Sequence, residues 1–233
     1  MSGLYIHIPF CKQACTYCDF HFSTRLDALP DMVEAICLEI RQRAPYLRGK
    51  TIESIYFGGG TPSVLNSSQL GMIFGEISAQ FNRSGSAEIT IEANPDDINK
   101  SLLETWKSMG INRISLGLQS FNDNELKWMN RAHTASQGLT AVKMAQDAGL
   151  TNISVDVIYG SRFQSLESWE LTLQTVSSLR VPHISSYNLT IEKKTLLGSR
   201  FSKGLEPAVS DDLSSRQFNL MSSYLESEGF LHY

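Results

Sequence analysis

The sequence predicts an α/β fold in which six β-strands alternate with helices and lie parallel in one sheet. Three observations carry this. Six short runs rich in β-branched and aromatic residues recur along the 233-residue chain; stretches of helical apolar periodicity separate them; and glycine or proline follows most of them. A repeated strand–helix unit with right-handed crossovers gives a parallel sheet with helices outside it. Repetition alone leaves two architectures open, an open sheet or an incomplete barrel. One substantial core suits this length, so residues 1–233 read as a single domain with no long disordered linker.

Gly3 to Ile8 alternates in the manner of a strand and is closed by Pro9. A cysteine-bearing loop follows. Met32, Val33, Ile36, Ile40 and Ala44 then mark a helix from Pro30 to Tyr46, in which Cys37 is read as an ordinary core thiol. The second strand, Ile52 to Phe57, runs into Gly58-Gly59-Gly60-Thr61-Pro62. Three adjacent glycines suit neither strand nor helix, which leaves a plain turn or a close approach of backbone to a ligand. A helix from Ser67 to Phe81 comes next, with Ser67 or Ser68 as its cap. Glu88 to Glu92 is the third strand, ending at Ala93-Asn94-Pro95, and Asn99 to Met109 is its helix, stopped by Gly110. Arg113 to Leu118 is the fourth strand, followed by Gln119-Ser120-Phe121 and helices over Asp123 to Met129 and Ala135 to Ala148. Asn152 to Ile158 is the fifth, with a helix over Ser168 to Leu179. His183 to Ile191 reads as the sixth, and Asp211 to Ser227 as a final helix ended by Gly229.

Lys+Arg 20 against Asp+Glu 24 gives a formal charge of −4 and no polybasic signature, so nucleic acid is not an expected partner. No run approaches the length of an apolar transmembrane span, and the amino terminus lacks a basic segment followed by an apolar one. The reading is a soluble, cytoplasmic protein. Four cysteines, three of them clustered, do not resemble a secreted disulfide scaffold, and a reducing compartment suits a labile metal centre.

In a parallel α/β fold the residues just past each strand's carboxyl end gather along one edge, where such folds place their sites. That edge carries Cys11, Cys15 and Cys18 after the first strand, Gly58 to Thr61 after the second, Glu92 at the end of the third, Gln119 after the fourth and Asp156 in the fifth. Thiolates at spacings of four and three can converge on one iron–sulfur cluster or one zinc ion. Zinc would require a fourth ligand, for which His21 is the candidate; a cluster held by three cysteines leaves one iron open to a small molecule. Asp156, within Ile153-Ser-Val-Asp-Val-Ile158, is costly unless bound to a ligand or held in a structural salt bridge. His7, His133 and His183 read as ordinary hydrogen-bonded residues.

Cys11-x-x-x-Cys15-x-x-Cys18 resembles the cluster motif of the radical S-adenosylmethionine (SAM) superfamily. Tyr5-Ile-His-Ile-Pro-Phe-Cys11, Phe57-Gly-Gly-Gly-Thr-Pro62, Glu92-Ala-Asn-Pro95, Ser115-Leu-Gly-Leu-Gln-Ser-Phe121 and Asp156-Val-Ile-Tyr-Gly160 are more specific. Together they resemble the branch containing oxygen-independent coproporphyrinogen III oxidase and the haem chaperone HemW group. The resemblance implies an incomplete (βα)6 partial TIM barrel with parallel strands, binding a [4Fe–4S] cluster and SAM. A reduced cluster, supplied by an external reductant, would cleave SAM to methionine and a 5′-deoxyadenosyl radical. It implies Cys11, Cys15 and Cys18 as metal ligands and Gly58, Gly59 and Thr61 at the methionine amino end. Glu92, Gln119, Arg131 and Asp156 become cofactor contacts, with Tyr5 and Tyr17 as aromatic positions near the cluster. Arg131 suits a carboxylate by its planar donor fork.

Within the branch, Phe20 stands where the oxidases carry a further cysteine, and Asn130-Arg131-Ala-His133-Thr134 resembles the HemW group. The resemblance therefore favours a chaperone that binds haem and passes it to an acceptor protein, a role that need not involve turnover. The alternatives are oxidative decarboxylation of coproporphyrinogen III and a noncatalytic haem-binding module. Relatives usually continue the fifth-strand motif as Gly-Leu-Pro, whereas Gly160 is followed here by Ser161-Arg162, which predicts an altered loop. They also continue past the position of Gly229-Phe230-Leu231-His232-Tyr233 into a carboxyl-terminal haem- or substrate-associated domain that this sequence does not include. Haem is thus expected of the longer protein, with no residues assigned to it here.

Overall fold

The computed structural model describes residues 2–47 and 49–233. Its strands are β1 (Gly3–Ile8), β2 (Thr51–Gly59), β3 (Asn82–Ala93), β4 (Arg113–Gln119), β5 (Ile153–Tyr159) and β6 (His183–Asn188). The helices are α1 (Leu29–Arg43), α2 (Ser67–Gln80), α3 (Lys100–Ser108), α4 (Asp123–Trp128), α5 (Ala135–Asp147), α6 (Leu166–Ser178), α7 (Leu196–Ser202) and α8 (Asp211–Ser227). All neighbouring strands pair in parallel, in the order β1-β2-β3-β4-β5-β6. That order decides between the two architectures. A doubly wound sheet reverses its strand order to put helices on both faces, whereas sequential right-handed crossovers put every helix on the same side. The sheet therefore curls about its free face as an incomplete (βα)6 barrel.

Strand alternation separates two chemistries. Ile6, Ile8, Ile55, Phe57, Ile89, Ile91, Ile114, Leu116, Val155 and Val157 are buried towards the helices, where they meet Val33, Ile73, Trp106, Val142, Trp169 and Leu173 in one core. The intervening positions carry Tyr5, His7, Tyr56, Gly58, Thr90, Glu92, Ser115, Gly117, Ser154 and Asp156. Register aligns them across the sheet: Tyr5 with Tyr56 and Thr90, Glu92 with Ser115 and Ser154, Gly117 with Asp156 and Ser185. The inner face is thus polar and small where a closed barrel packs branched apolar residues. It is built to hold something other than itself.

Local chemistry moves several boundaries. Asn66 caps α2, one residue before the expected serines, because Gln69 completes a reciprocal capping box with it. β3 starts at Asn82, since Asn82 and Arg83 pair with Thr51 and Ile52 ahead of a register shift, although Asn82 to Ser86 carry little strand propensity. β6 ends at Asn188 and does not reach Ile191. The sequence reading missed α7, whose seven residues are too few for a periodic signal; Thr195 caps it through Gly198.

Gly58 and Gly59 close β2, contrary to the expectation that the glycine run suits no strand, and Gly60 crosses against the chain leaving β1. Gly60 N–H donates to Ile8 O at 2.9 Å and Thr61 N–H to Phe10 O at 2.7 Å. A Cβ on Gly60 would sit 2.6 Å from Phe10 O and 2.8 Å from Phe10 N, both backbone atoms that cannot swing aside. Gly60→Ala is therefore expected to destabilise the fold by about 1–3 kcal/mol, as overpacking does, measured by urea denaturation. Unchanged stability would mean that the crossing has slack.

Candidate functional site

The cysteine loop is short and tied down on both sides. Cys11, Cys15 and Cys18 are free, half-buried thiols. Thr61 Oγ1 donates to Cys11 Sγ at 3.3 Å and Arg131 Nη1 to Cys15 Sγ at 3.4 Å. Burial pushes the Cys11 and Cys18 thiols up. The segment after α4 holds the loop's other side: Thr16 N–H donates to Met129 O at 3.0 Å and Thr16 Oγ1 to Trp128 O at 3.1 Å. Asn130 Nδ2 reaches Ala14 O at 2.7 Å while Gln13 Nε2 donates to Asn130 O at 2.8 Å. Asn130 adopts φ 57°, a left-handed conformation that asparagine tolerates, and so turns the chain into Arg131. A second tie joins Lys12 to the buried carboxylate of Asp97, which also accepts from Ser63 Oγ at 2.5 Å.

The loop opens onto a cavity of about 600 Å³ at the carboxyl ends of the strands. Its walls include Cys11, Cys15, Tyr17, Cys18, Gly59, Gly60, Thr61, Glu92, Asn94, Gln119, Arg131 and Asp156. Glu92 is held from two directions, accepting from Tyr56 OH at 2.8 Å and from Gly59 N–H at 3.1 Å. Gly59 has φ 114°, which a side chain would resist, and its space is taken by the His7 ring. Gln119 reaches the cavity from a β-bulge: the β4–β5 register shifts between Gly117 and Gln119, and Gln119 has φ 65°. A non-glycine residue held in that region at a sheet edge is local strain used to aim a side chain.

Arg131 joins the two walls. Its Nη2 donates to Asn94 Oδ1 at 2.6 Å and Gly117 O at 2.8 Å, its Nη1 to Cys15, and its Nε is buried without a partner. An unsatisfied guanidinium donor beside three thiols suits an anionic group of a ligand. Burial is also the main effect on Asp156, which is raised from 3.8 to about 6; a Ser185 hydrogen bond lowers it and Glu92 adds to the rise. Asp156 has no ion-pair partner among the described residues, since nearby Arg113 pairs with Glu88 at 3.7 Å. The structural salt-bridge reading of Asp156 is therefore not supported.

The Radical SAM superfamily family model matches residues 5–176. The chain belongs to the radical SAM superfamily. Within this superfamily it is 36% identical over 212 residues to the haem chaperone HemW of Escherichia coli (strain K12), covering 90% of this chain and 55% of that protein. It is 32% identical over 232 residues to HemW of Lactococcus lactis subsp. lactis (strain IL1403), covering 100% of this chain and 60% of that one. Among solved structures, the radical SAM coproporphyrinogen III oxidase HemN from Escherichia coli superposes with a TM-score of 0.89 at 28% identity, over 98% of this chain and 53% of that chain. This radical SAM chain is thus closely related to the HemW and HemN branch, and it spans between half and two thirds of the length of these relatives.

Of the residues singled out from sequence, the three cysteines, Tyr17, Gly59, Thr61, Glu92, Gln119, Arg131 and Asp156 line one cavity. Tyr5 and Gly58 lie next to it: Tyr5 stacks on Tyr56 with centroids 6.0 Å apart, and Gly58 leaves room between those rings and Glu92. Sequence reasoning passed over Asn94 and Tyr56, which orient Arg131 and Glu92; Asn94 sits in the Glu92-Ala-Asn-Pro95 run and could have been read from it. His21 is exposed, and no three His, Cys, Asp or Glu side chains among the described residues are arranged to hold a single metal ion. Cys11, Cys15 and Cys18 are themselves among those side chains, so this geometry does not separate the zinc reading from the cluster reading. His133 is buried and bonded to Leu118 O at 3.1 Å, and burial with Arg131 nearby lowers it to about 4, consistent with a neutral structural ring.

Asp156 gives a signed pH prediction. Its folded pKa lies above its unfolded value, so the fold disfavours the ionised form, and stability falls as pH rises from about 4 to about 6 and is flat above that. Asp156→Asn is expected to match the native protein near pH 4 and exceed it by about 1–3 kcal/mol near pH 7 in urea titrations. A difference that does not change with pH would contradict this.

Proposed function

We propose that Cys11, Cys15 and Cys18 hold a [4Fe–4S] cluster with one iron left open to SAM, in the cofactor-binding domain of a haem chaperone. The observation that carries this is the presence of three free thiols and of Arg131, with its unpartnered Nε, in the walls of one cavity. The residues present suit both groups: thiolates are the preferred ligands of such clusters, and a cavity of about 600 Å³ lies within the usual range for cofactor sites. When bound and reduced, the cluster supplies an electron to SAM.

The chain's own residues bind and orient. Arg131 takes the SAM carboxylate through Nε, its Nη2 being held by Asn94 and Gly117 and its Nη1 by Cys15. The backbone of Gly58, Gly59 and Thr61 borders the methionine amino end, and Glu92 is held rigidly enough by Tyr56 and Gly59 to accept from it. Asp156 accepts from ribose hydroxyls and Gln119 supplies an amide across the bulge. Tyr17 packs beside Cys15 and Arg131, with burial pushing its phenol up so that it stays neutral, and screens the cluster side from water. Tyr5, below the cavity, supports the wall through Tyr56.

Two features favour the chaperone over the oxidase. By resemblance, Phe20, 73% exposed at the cavity rim, stands where the oxidases carry a further cysteine, and the Escherichia coli and Lactococcus lactis relatives carry the HemW name. The likeness to HemN keeps oxidative decarboxylation as the second reading. Haem and a haem-acceptor protein as partners follow from the HemW name of the relatives, and a reductant follows from the cluster reading. In a form extended to the relatives' length, haem uptake and transfer to an apo-acceptor without decarboxylation of coproporphyrinogen III supports the chaperone; a decarboxylated porphyrinogen product supports the oxidase.

Arg131→Lys tests the fork. The variant keeps the charge but loses the geometry that reaches Cys15, Asn94 and Gly117, so SAM affinity, measured per reconstituted cluster, is expected to fall by about 10- to 100-fold. Equal affinity in titrations of the reconstituted protein would remove Arg131 from the site.

A further inference from the structure

Glu125 on α4 is a buried carboxyl group that cofactor binding does not explain. It is 1% exposed, and its partners among the described residues are all neutral: Ser120 Oγ at 2.5 Å, Ser161 Oγ, and Gln164 Nε2 at 3.1 Å. Burial accordingly pushes it up. Those partners come from two loops. Ser120 follows Gln119 at the end of β4, and its N–H closes the turn onto Leu118 O at 2.8 Å. Ser161 and Gln164 follow β5, where Gln164 also donates to Ile158 O at 2.8 Å and accepts from Gly160 N–H at 3.0 Å.

The other end of α4 grips the cysteine loop. Trp128 lies three positions after Glu125, less than one helical turn, and Trp128, Met129 and Asn130 make the bonds to Thr16, Ala14 and Gln13 described above. Arg131 N–H returns to Leu126 O at 2.8 Å, so the arginine is mounted on the same turn. A rigid element this short cannot absorb a displacement at one end without passing it to the other.

We propose that Glu125 is a positioning residue of the cofactor site, fixing the cysteine loop and Arg131 relative to the carboxyl ends of β4 and β5, the strands that carry Gln119 and Asp156. Ser161 is the partner that gives the altered Gly160-Ser161-Arg162 loop its purpose. Arg162 reinforces the same junction from outside by pairing at 2.9 Å with Glu206, which also accepts from Trp128 Nε1 at 2.8 Å.

The inference rests on the proposed SAM reading, and its test separates the two. Amide hydrogen exchange on the metal-free protein is measured for Glu125→Ala, Glu125→Gln and Ser161→Ala, followed by SAM titration after cluster reconstitution. Expected are about 10-fold faster exchange at Thr16 and about 10-fold weaker SAM binding in Glu125→Ala, a smaller effect of the same kind in Ser161→Ala, near-native behaviour in Glu125→Gln, and unchanged exchange at Ile55 and Phe57. Native protection at Thr16 in the alanine variants, or protection lost equally across β2, overturns the proposal. Should Glu125→Ala fail to fold, Ser161→Ala decides alone by the same criterion. A native protein that binds no SAM sinks the cofactor reading, while the Thr16 exchange still decides the positioning role.

Discussion

The site depends on one guanidinium. Arg131 is the point at which the cysteine loop, the end of β3 and the end of β4 meet, through Cys15, Asn94 and Gly117 respectively. None of these segments is near another in sequence, and Arg131 adds one shared donor to the β3–β4 pairing and to the backbone ties of the cysteine loop. Arginine suits the position because its fork serves several acceptors in fixed directions and stays charged when buried. Its Nε is among the buried polar atoms that lack a partner among the described residues.

The barrel divides its labour by strand alternation. The outer face of the sheet and the helices supply the apolar core, which frees the inner face to be polar. That freedom costs stability. Glu92 and Asp156 are carboxyl groups near each other in a partly dry cavity, Gln119 is held at positive φ, and Arg131 Nε lacks a partner. Such conflicts concentrate where binding is done and are offset by packing elsewhere.

Much of this was legible because it is local. The strands declare themselves as β-branched runs, the cysteines by spacing, and Asp156 by standing alone in an apolar strand. What stayed hidden depends on contacts across long separations. Asn94 and Arg131 are 37 residues apart, and Ser161 reaches Glu125 across 36. Glu125, among Asn124 and Lys127, has the sequence surroundings of an exposed helix face, yet it is among the most buried charged residues. Ser161 and Arg162 drew attention in the sequence, but their partners Glu125 and Glu206 were not visible there. The bulge at Gln119 likewise follows from β4–β5 pairing, which no single-strand pattern records.

The most direct measurement is iron and acid-labile sulfide content after anaerobic reconstitution, with electron paramagnetic resonance of the reduced protein with and without SAM. The account predicts about four irons and about four sulfides per chain and a spectrum that changes when SAM is added. Stable zinc in their place, or a folded cluster-bearing protein whose spectrum ignores SAM, would contradict it.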